Sequence, residues 1–203
     1  MTDSLRILKK GLREQVLAIR DQLSSDIQTN AAHSLENHAE LIGDVKGKVV
    51  SSFWPIRSEI NPYNLTQELK QRGAQLALPV VMDKTTLEFR AYDHDDDLID
   101  AGFGTKGPSA NAAVVDPDIL LVPLAVFDLQ CGRIGYGAGF YDRAIAKLRA
   151  KGRLPKTFGI AFEQQMVDQV PQDGFDIKLD YILTPEKTYK NGIAYQNPAV
   201  GEN

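Results

Sequence analysis

The sequence predicts an α/β protein: a single domain with a central, largely parallel sheet flanked by helices on both faces. Three observations carry that expectation. Strand-like apolar runs alternate with segments of helical periodicity along the 203 residues, the pattern of a sheet whose strands are joined by crossover helices. Residues 119–122, Ile-Leu-Leu-Val, are apolar throughout, as a strand buried on both faces requires. Alternating glycines, Gly135, Gly137 and Gly139, fall between an apolar stretch and an amphipathic one, the place of a strand-to-helix turn.

Taken in order, Leu5, Leu8, Leu12, Val16, Ile19 and Leu23 recur every three or four positions over about residues 4–23, which marks a helix with that stripe facing inward. Lys9 and Arg13 project together one turn apart, with Arg6 and Lys10 on neighbouring faces; solvated charge and a reach toward phosphate both fit the pair. A second helix starts after Ser25. Its His33 and His38 are too far out of phase to share a face, which argues against a metal pair. Residues 48–54 read as a buried strand stopped by Pro55, and 55–60 as a loop at its C-terminal end, where ligands of open α/β sheets bind. Asn61 caps a helix with Pro62 in its first turn, and Gly73 ends it.

Strands follow at 75–81 and 86–92. The acidic segment 93–97, with His94, reads as a solvated loop, because consecutive positions point in different directions. Residues 101–116, rich in Gly, Pro, Ser, Asn and Ala, read as an irregular segment placed to cover a site. The central strand 119–122 delivers the chain to the glycine loop, and a helix over 140–150 leads away. A strand at 157–162, a carboxylate-rich loop at 172–176 and a short strand at 180–183 complete the pattern. From about 190 to 203 no periodicity remains, and a poorly ordered tail is expected. With no repeat and no linker, residues 1–203 read as one domain.

A chain of 203 residues is long enough to bury roughly 70% of its unfolded surface. Its 23 basic and 27 acidic residues leave a net charge of −4, which excludes a general nucleic-acid or anionic-membrane footprint. Any anion site must be local. Cys131 is the only cysteine, so no internal disulfide forms and a reducing cytoplasmic setting is expected. With no histidine near it in sequence, it reads as a small side chain beside a turn rather than a nucleophile. No apolar signal core opens the sequence, and the longest apolar run, 119–127, is too short to span a bilayer.

The glycine loop carries the functional signal. Its bare amides can approach phosphate oxygens closely, and the positive end of the following helix adds to the attraction. A P-loop would need Lys and then Ser or Thr after the last glycine, where Phe140 and Tyr141 stand; a dinucleotide fingerprint would need a glycine at Phe140. Neither fits. An isolated glycine triplet is more often only a tight turn, but Arg133 on one side and Asp142 on the other add a cation for phosphate and a carboxylate for a bridging metal. Phosphate handling with Mg²⁺ is the chemistry this set supports.

The run Arg133-Ile134-Gly135-Tyr136-Gly137-Ala138-Gly139-Phe140-Tyr141-Asp142 resembles the signature of the 5-formyltetrahydrofolate cyclo-ligase family, also called 5,10-methenyltetrahydrofolate synthetases. The resemblance extends over most of the chain, from the Lys9–Arg13 helix through Trp54 and Glu59 and the pairs Val122-Pro123 and Phe127-Asp128 to Asp180 and Thr184. It implies an α/β fold and the ATP- and Mg²⁺-dependent conversion of 5-formyltetrahydrofolate to 5,10-methenyltetrahydrofolate, ADP and phosphate. Under that resemblance Lys9, Arg13, Arg133, Gly135, Gly137, Ala138, Gly139 and Tyr141 hold ATP, and Arg133 and Tyr141 act in catalysis. Trp54, Glu59, Phe140 and Tyr141 meet the folate, and Asp142 and Asp180 hold Mg²⁺. The chain departs from the pattern at Phe175, where a His often precedes the acidic residue, and at Ala138, where Lys or Gly is common. From charge, cysteine usage and the short apolar runs, a cytoplasmic protein without nucleic-acid or membrane partners is expected, and it is expected to be a monomer. Two other readings of the same loop are a non-catalytic folate- or nucleotide-binding paralogue and a sugar-phosphate isomerase-like enzyme.

Overall fold

A computed structural model describes residues 3–94, 96–102 and 104–197. Helix α1 (Asp3–Arg20) is followed by α2 (Ser25–Ser34), a 3-10 turn (Leu35–His38) and α3 (Ala39–Ile42). Then come β1 (Val49–Ser51), α4 (Tyr63–Gln71), β2 (Gln75–Val81), β3 (Leu87–Ala91) and a hairpin of β4 (Ile99–Gly102) and β5 (Thr105–Gly107). Strand β6 (Ile119–Pro123) leads through a second hairpin, β7 (Val126–Phe127) and β8 (Arg133–Ile134), to α5 (Phe140–Ala150). The chain closes with β9 (Lys156–Ile160), β10 (Tyr181–Leu183), β11 (Lys187–Lys190) and β12 (Ile193–Gln196).

Eight strands form the main sheet in the order β12-β11-β10-β9-β6-β1-β2-β3. The middle five, β10 to β2, are parallel, whereas β3 and the β11–β12 hairpin run antiparallel at the two edges. Strand β6 lies between β9 and β1, with Leu121 opposite Phe158 and Val50 opposite Ile119. Its side chains alternate between two cores. Ile119 and Leu121 pack with Leu35, Leu65 and Leu69 of the helical layer on one face, while Leu120 and Val122 pack with Ile145 and Leu148 of α5 on the other. Burial on both faces is why this strand is an unbroken apolar run.

Helix α1 differs from its predicted orientation. Leu8 and Ile19, assigned to an inward stripe, are 53% and 50% exposed, while Lys9, Val16 and Arg20 are buried. The helix packs over β7 and β8 through Leu12, Val16 and Leu17. The remainder of its inner face meets polar loop ends, where cations find acceptors and leucines would not.

Other boundaries also moved. The strand expected over 48–54 is regular only at Val49–Ser51, and the β7–β8 hairpin separates the central strand from the glycine loop. Part of the irregular 101–116 segment is the β4–β5 hairpin. Residues 193–196, expected in a structureless tail, pair with β11 as β12; both faces of that edge strand are exposed, so it carries no apolar alternation to read. Residues 198–203 of the expected tail lie outside the described residues, as do Asp95 of the acidic segment and Phe103. Asp93 of that segment forms a salt bridge with Lys70. His33 and His38 are apart: His33 bonds Asn64 at 2.9 Å, and buried His38 bonds the Thr184 carbonyl at 2.9 Å.

Candidate active site

The parallel strands open at their C-terminal ends onto a cleft of about 550 Å³ lined by the start of α1, residues after β1, the ends of β2 and β6, β5 and the glycine loop. This is the side of an open α/β sheet where ligands bind.

The glycine loop follows from local chemistry. Asp128 sits buried at the β7–β8 turn, where its carboxylate accepts from the N–H groups of Gln130, Gly132 and Val170 at 3.0, 2.8 and 2.8 Å. That fixes the base of the loop. Gly137 has φ +101°, and a Cβ there would lie 3.4 Å from the Arg13 guanidinium; Gly139 has φ +66° and is the residue from which α5 starts. Both conformations are costly for residues with a side chain. The amides at 135–139 therefore stand unshielded where the positive end of α5 begins.

Cations surround the loop. Arg13 Nε donates to the Gly135 carbonyl at 2.6 Å. Lys9 is buried and paired with Asp176, which also accepts from the Asp173 N–H at 2.7 Å. Arg133 Nη2 donates to Asp142 Oδ1 at 2.9 Å, and its Nη1 donates to the Ile177 carbonyl. Burial lowers the pKa of Arg133, an effect that Asp142 opposes; Arg13 is likewise lowered by burial. Both lie so far above neutrality that they stay charged.

The segment after β1 brings an aromatic ring and a carboxylate to the same cleft. Trp54 is half-buried beside Phe53, with Lys106 Nζ 5.4 Å from its ring centroid. Glu59 Oε2 accepts from the Ile56 N–H at 2.9 Å, whereas Oε1 is buried with no hydrogen-bond partner. Burial raises the pKa of Glu59, partly offset by the Ile56 N–H, the Tyr136 hydroxyl and the charge of Arg20. The Tyr141 hydroxyl is also buried without a partner, and burial drives it well above the usual phenol range. Unpaired buried polar atoms are costly; two of them aimed into one cleft mark places where a ligand's donors and acceptors would fit.

Residues 7–185 match the model of the 5-formyltetrahydrofolate cyclo-ligase family. The chain belongs to this family. It is 31% identical over 182 residues to the 5-formyltetrahydrofolate cyclo-ligase of Haemophilus influenzae, a match covering 86% of this chain and 96% of that one. The Escherichia coli K12 enzyme of the same name is 25% identical over 185 residues, covering 88% and 99%. Among solved structures, 5,10-methenyltetrahydrofolate synthetase from Aquifex aeolicus shares the fold with a TM-score of 0.74 at 23% identity, over 96% of this chain and 98% of that one. That from Mycoplasma pneumoniae does so with a TM-score of 0.70 at 24% identity, over 88% and 99%.

In this cyclo-ligase family member Lys9, Arg13, Trp54, Glu59, Arg133, the 135–139 loop, Phe140, Tyr141 and Asp142 all line the one cleft. Asp180 does not. It precedes β10 at the N-terminal end of the parallel strands, where its Oδ2 accepts from the Thr157 N–H and hydroxyl, each at 2.8 Å. The expected pairing of Asp142 with Asp180 at a metal is therefore corrected: Asp142 lines the cleft, whereas Asp180 lies outside its lining and is bonded to Thr157. Among the described residues no group of three or more His, Cys, Asp or Glu side chains is placed to hold a metal. Cys131 is buried at φ +60°, outside the cleft lining, and burial raises its thiol pKa.

Three contributors escaped the sequence reading. Arg20 and Tyr136 bond each other at 2.9 Å under the loop, and Lys106 reaches Trp54 from β5. Arg20 had a signal: Lys9, Arg13, Val16 and Arg20 follow helical spacing, so the buried cations form a stripe of their own. Lys106 had none, because its segment carried no strand pattern.

Proposed function

We propose that the protein converts 5-formyltetrahydrofolate and ATP, with Mg²⁺, to 5,10-methenyltetrahydrofolate, ADP and phosphate. The observation that carries this reading is the pairing, within one cleft, of a cation-ringed glycine loop with a half-buried Trp54 and the unpartnered Glu59 Oε1. The first suits a triphosphate, the second a flat ring that presents N–H donors. Each chain carries a full set of these groups, which supports a monomer. The lone buried Cys131 suits a reducing cytoplasm, and no described helix is long and apolar enough to cross a membrane.

A formyl group on nitrogen is amide-like and resists attack by the ten-position amine. In the proposed reaction the formyl oxygen attacks the γ-phosphorus and ADP departs, leaving a formyl carbon whose oxygen carries the phosphoryl group. The ten-position nitrogen then adds to that carbon. It loses its proton, the C–O bond breaks, and phosphate leaves as the methenyl bridge forms. Lys9, Arg13, Arg133 and the loop amides stabilise the charge on the transferring phosphoryl group, and Glu59 with Trp54 holds the pterin so that the formyl oxygen lies in line. Tyr141 closes the cleft beside Arg133.

The donor set fits Mg²⁺ of the usual nucleotide kind, which takes one or two carboxylates together with phosphate oxygens and waters. Asp142 takes its bonds on Oδ1 and Asp176 on Oδ2, so each has a second oxygen to offer. These two would hold the ion, which supplies charge neutralisation at the β- and γ-phosphates.

Absorbance of the methenyl product tests the reading. Purified protein with 5-formyltetrahydrofolate should form the chromophore only when Mg-ATP is present. Binding of both ligands without product would instead indicate a non-catalytic binder.

A further inference from the structure

Arg20 ties together the segment after β1 and the glycine loop. It ends α1 and is 1% exposed. Its guanidinium is divided between two loops: Nε donates to Ser58 Oγ at 2.9 Å and Nη2 to the Tyr136 hydroxyl at 2.9 Å. Ser58 in turn donates to Asp21, which holds it in place as an acceptor. Ser58 immediately precedes Glu59, and Tyr136 stands between Gly135 and Gly137. One rigid planar group thus spans the loop with the unpartnered carboxylate oxygen and the loop with the exposed amides. A guanidinium offers donors in fixed directions, so it sets the relative position of two acceptors in a way that a single ammonium cannot.

We propose that Arg20 is a positioning residue that couples the two substrate subsites: a pterin seated against residues 54–59 orders Tyr136 and the glycine loop for the triphosphate, and the triphosphate does the same in return. The inference rests on the reading of the cleft as a folate-plus-ATP site. Arg20 lies beneath the loops and bonds Ser58 and Tyr136, while its charge and the Tyr136 hydroxyl both act on Glu59. The other cations of α1, buried Lys9 and half-buried Arg13, fasten different groups, Asp176 and the Gly135 carbonyl, so neither bridges the two subsites. Coupling between sites is reciprocal and commonly amounts to about 5–150-fold in affinity.

Calorimetric titration with a magnesium-bound, non-hydrolysable ATP analogue, with and without saturating 5-formyltetrahydrofolate, measures the coupling factor. The wild type should bind the analogue at least about fivefold more tightly when folate is present. Arg20→Lys keeps the charge but loses the fork, and Tyr136→Phe removes one hydroxyl while leaving the Arg20–Ser58 bond. Each should bring the factor to within about twofold of unity, with the affinity for each ligand alone changing less than the factor does. Coupling retained in both variants, or absent from a wild type that binds both ligands, overturns the inference. A wild type that fails to bind one of the ligands overturns the reading of the cleft itself. Tyr136→Phe also removes the hydroxyl that acts on Glu59. Ser58→Ala cuts the other guanidinium bond and leaves Tyr136 and Glu59 in place, so it keeps the test decisive should Arg20→Lys fold poorly; coupling retained in it overturns the inference.

Discussion

Arg133 and Asp142 meet at 2.9 Å across the loop that turns β8 into α5, so the residues bracketing the glycines are tied to each other before any ligand arrives. The Arg133 side chain is 5% exposed and that of Asp142 25%. The carboxylate therefore serves the guanidinium as well as any metal. Asp142→Asn keeps the shape and removes the charge. Loss of one partner from a buried pair costs about 3 kcal/mol, equivalent to a fall of about 6–12 °C in melting temperature at this size. Calorimetry and initial rates over a Mg²⁺ series should show both a lower melting temperature and a higher Mg²⁺ requirement. A lower melting temperature alone would assign Asp142 to Arg133 only.

Glu59 makes a prediction in pH. Burial raises its folded-state pKa above the ordinary carboxylate value, so the folded protein binds this proton more tightly than the unfolded chain does. Its contribution to stability is fully present below the ordinary value and is lost as pH rises through the raised one. Glu59→Gln removes that loss. The melting temperature of the variant relative to wild type should therefore climb from acid toward neutral pH, while folate affinity falls. A pH-independent difference would mean that Glu59 does not titrate in this range.

Binding should move the same proton. A pterin N–H bonded to Oε1 favours the carboxylate, so folate binding should release a proton at pH values between the ordinary and the raised pKa. Titrations in buffers of different ionisation heat measure this release, which should disappear in Glu59→Gln.

Legibility followed the hydrophobic pattern. Strand β6 was plain because both its faces are buried, and α5 because glycines precede it and its apolar residues keep helical phase. The site residues at 133–142 were legible as a motif, since glycines at positive φ beside an Arg and an Asp have few other uses. Patterning failed where elements are held by something else. The short hairpins β4–β5 and β7–β8 are defined by turns, and β12 is exposed on both faces. Helix α1 was read as a helix but rotated, because Lys9 and Arg20 look solvated until the acceptors that bury them, Asp176, Ser58 and Tyr136, are brought in by folding. Asp180 was given to the metal by the resemblance alone, although a carboxylate just before a strand of a parallel sheet stands at the N-terminal end, away from the cleft.

The position of Asp180 separates structure from chemistry. Asp180→Ala removes the acceptor for the N–H and hydroxyl of Thr157, a buried residue. Leaving such donors unsatisfied costs about 1–3 kcal/mol. Chemical denaturation should show that loss, with the Mg²⁺ dependence of the rate unchanged. A raised Mg²⁺ requirement would return Asp180 to the metal.

Lys9 and Arg13 allow the phosphate assignment of α1 to be tested against simple surface charge. Exposed charges change stability by no more than about 0.5 kcal/mol when removed, but Lys9 is 6% exposed and paired with Asp176, and Arg13 holds the Gly135 carbonyl at 2.6 Å. Lys9→Ala leaves a partly buried carboxylate without its cation, so it should lower stability more than Arg13→Ala does. On binding, both variants should weaken Mg-ATP, because both cations face the loop that receives it. Their losses should depart from additivity, as side chains sharing one ligand couple by about 0.5–3 kcal/mol. Folate affinity measured without ATP should stay near wild type, since Lys9 and Arg13 bond Asp176 and the Gly135 carbonyl rather than Trp54 or Glu59. Titration of the two single variants and the double variant with each ligand provides the comparison. Unchanged Mg-ATP affinity in all three would leave α1 as a clamp on the 172–176 and 135–139 loops, with Arg133 and the loop amides as the remaining phosphate contacts.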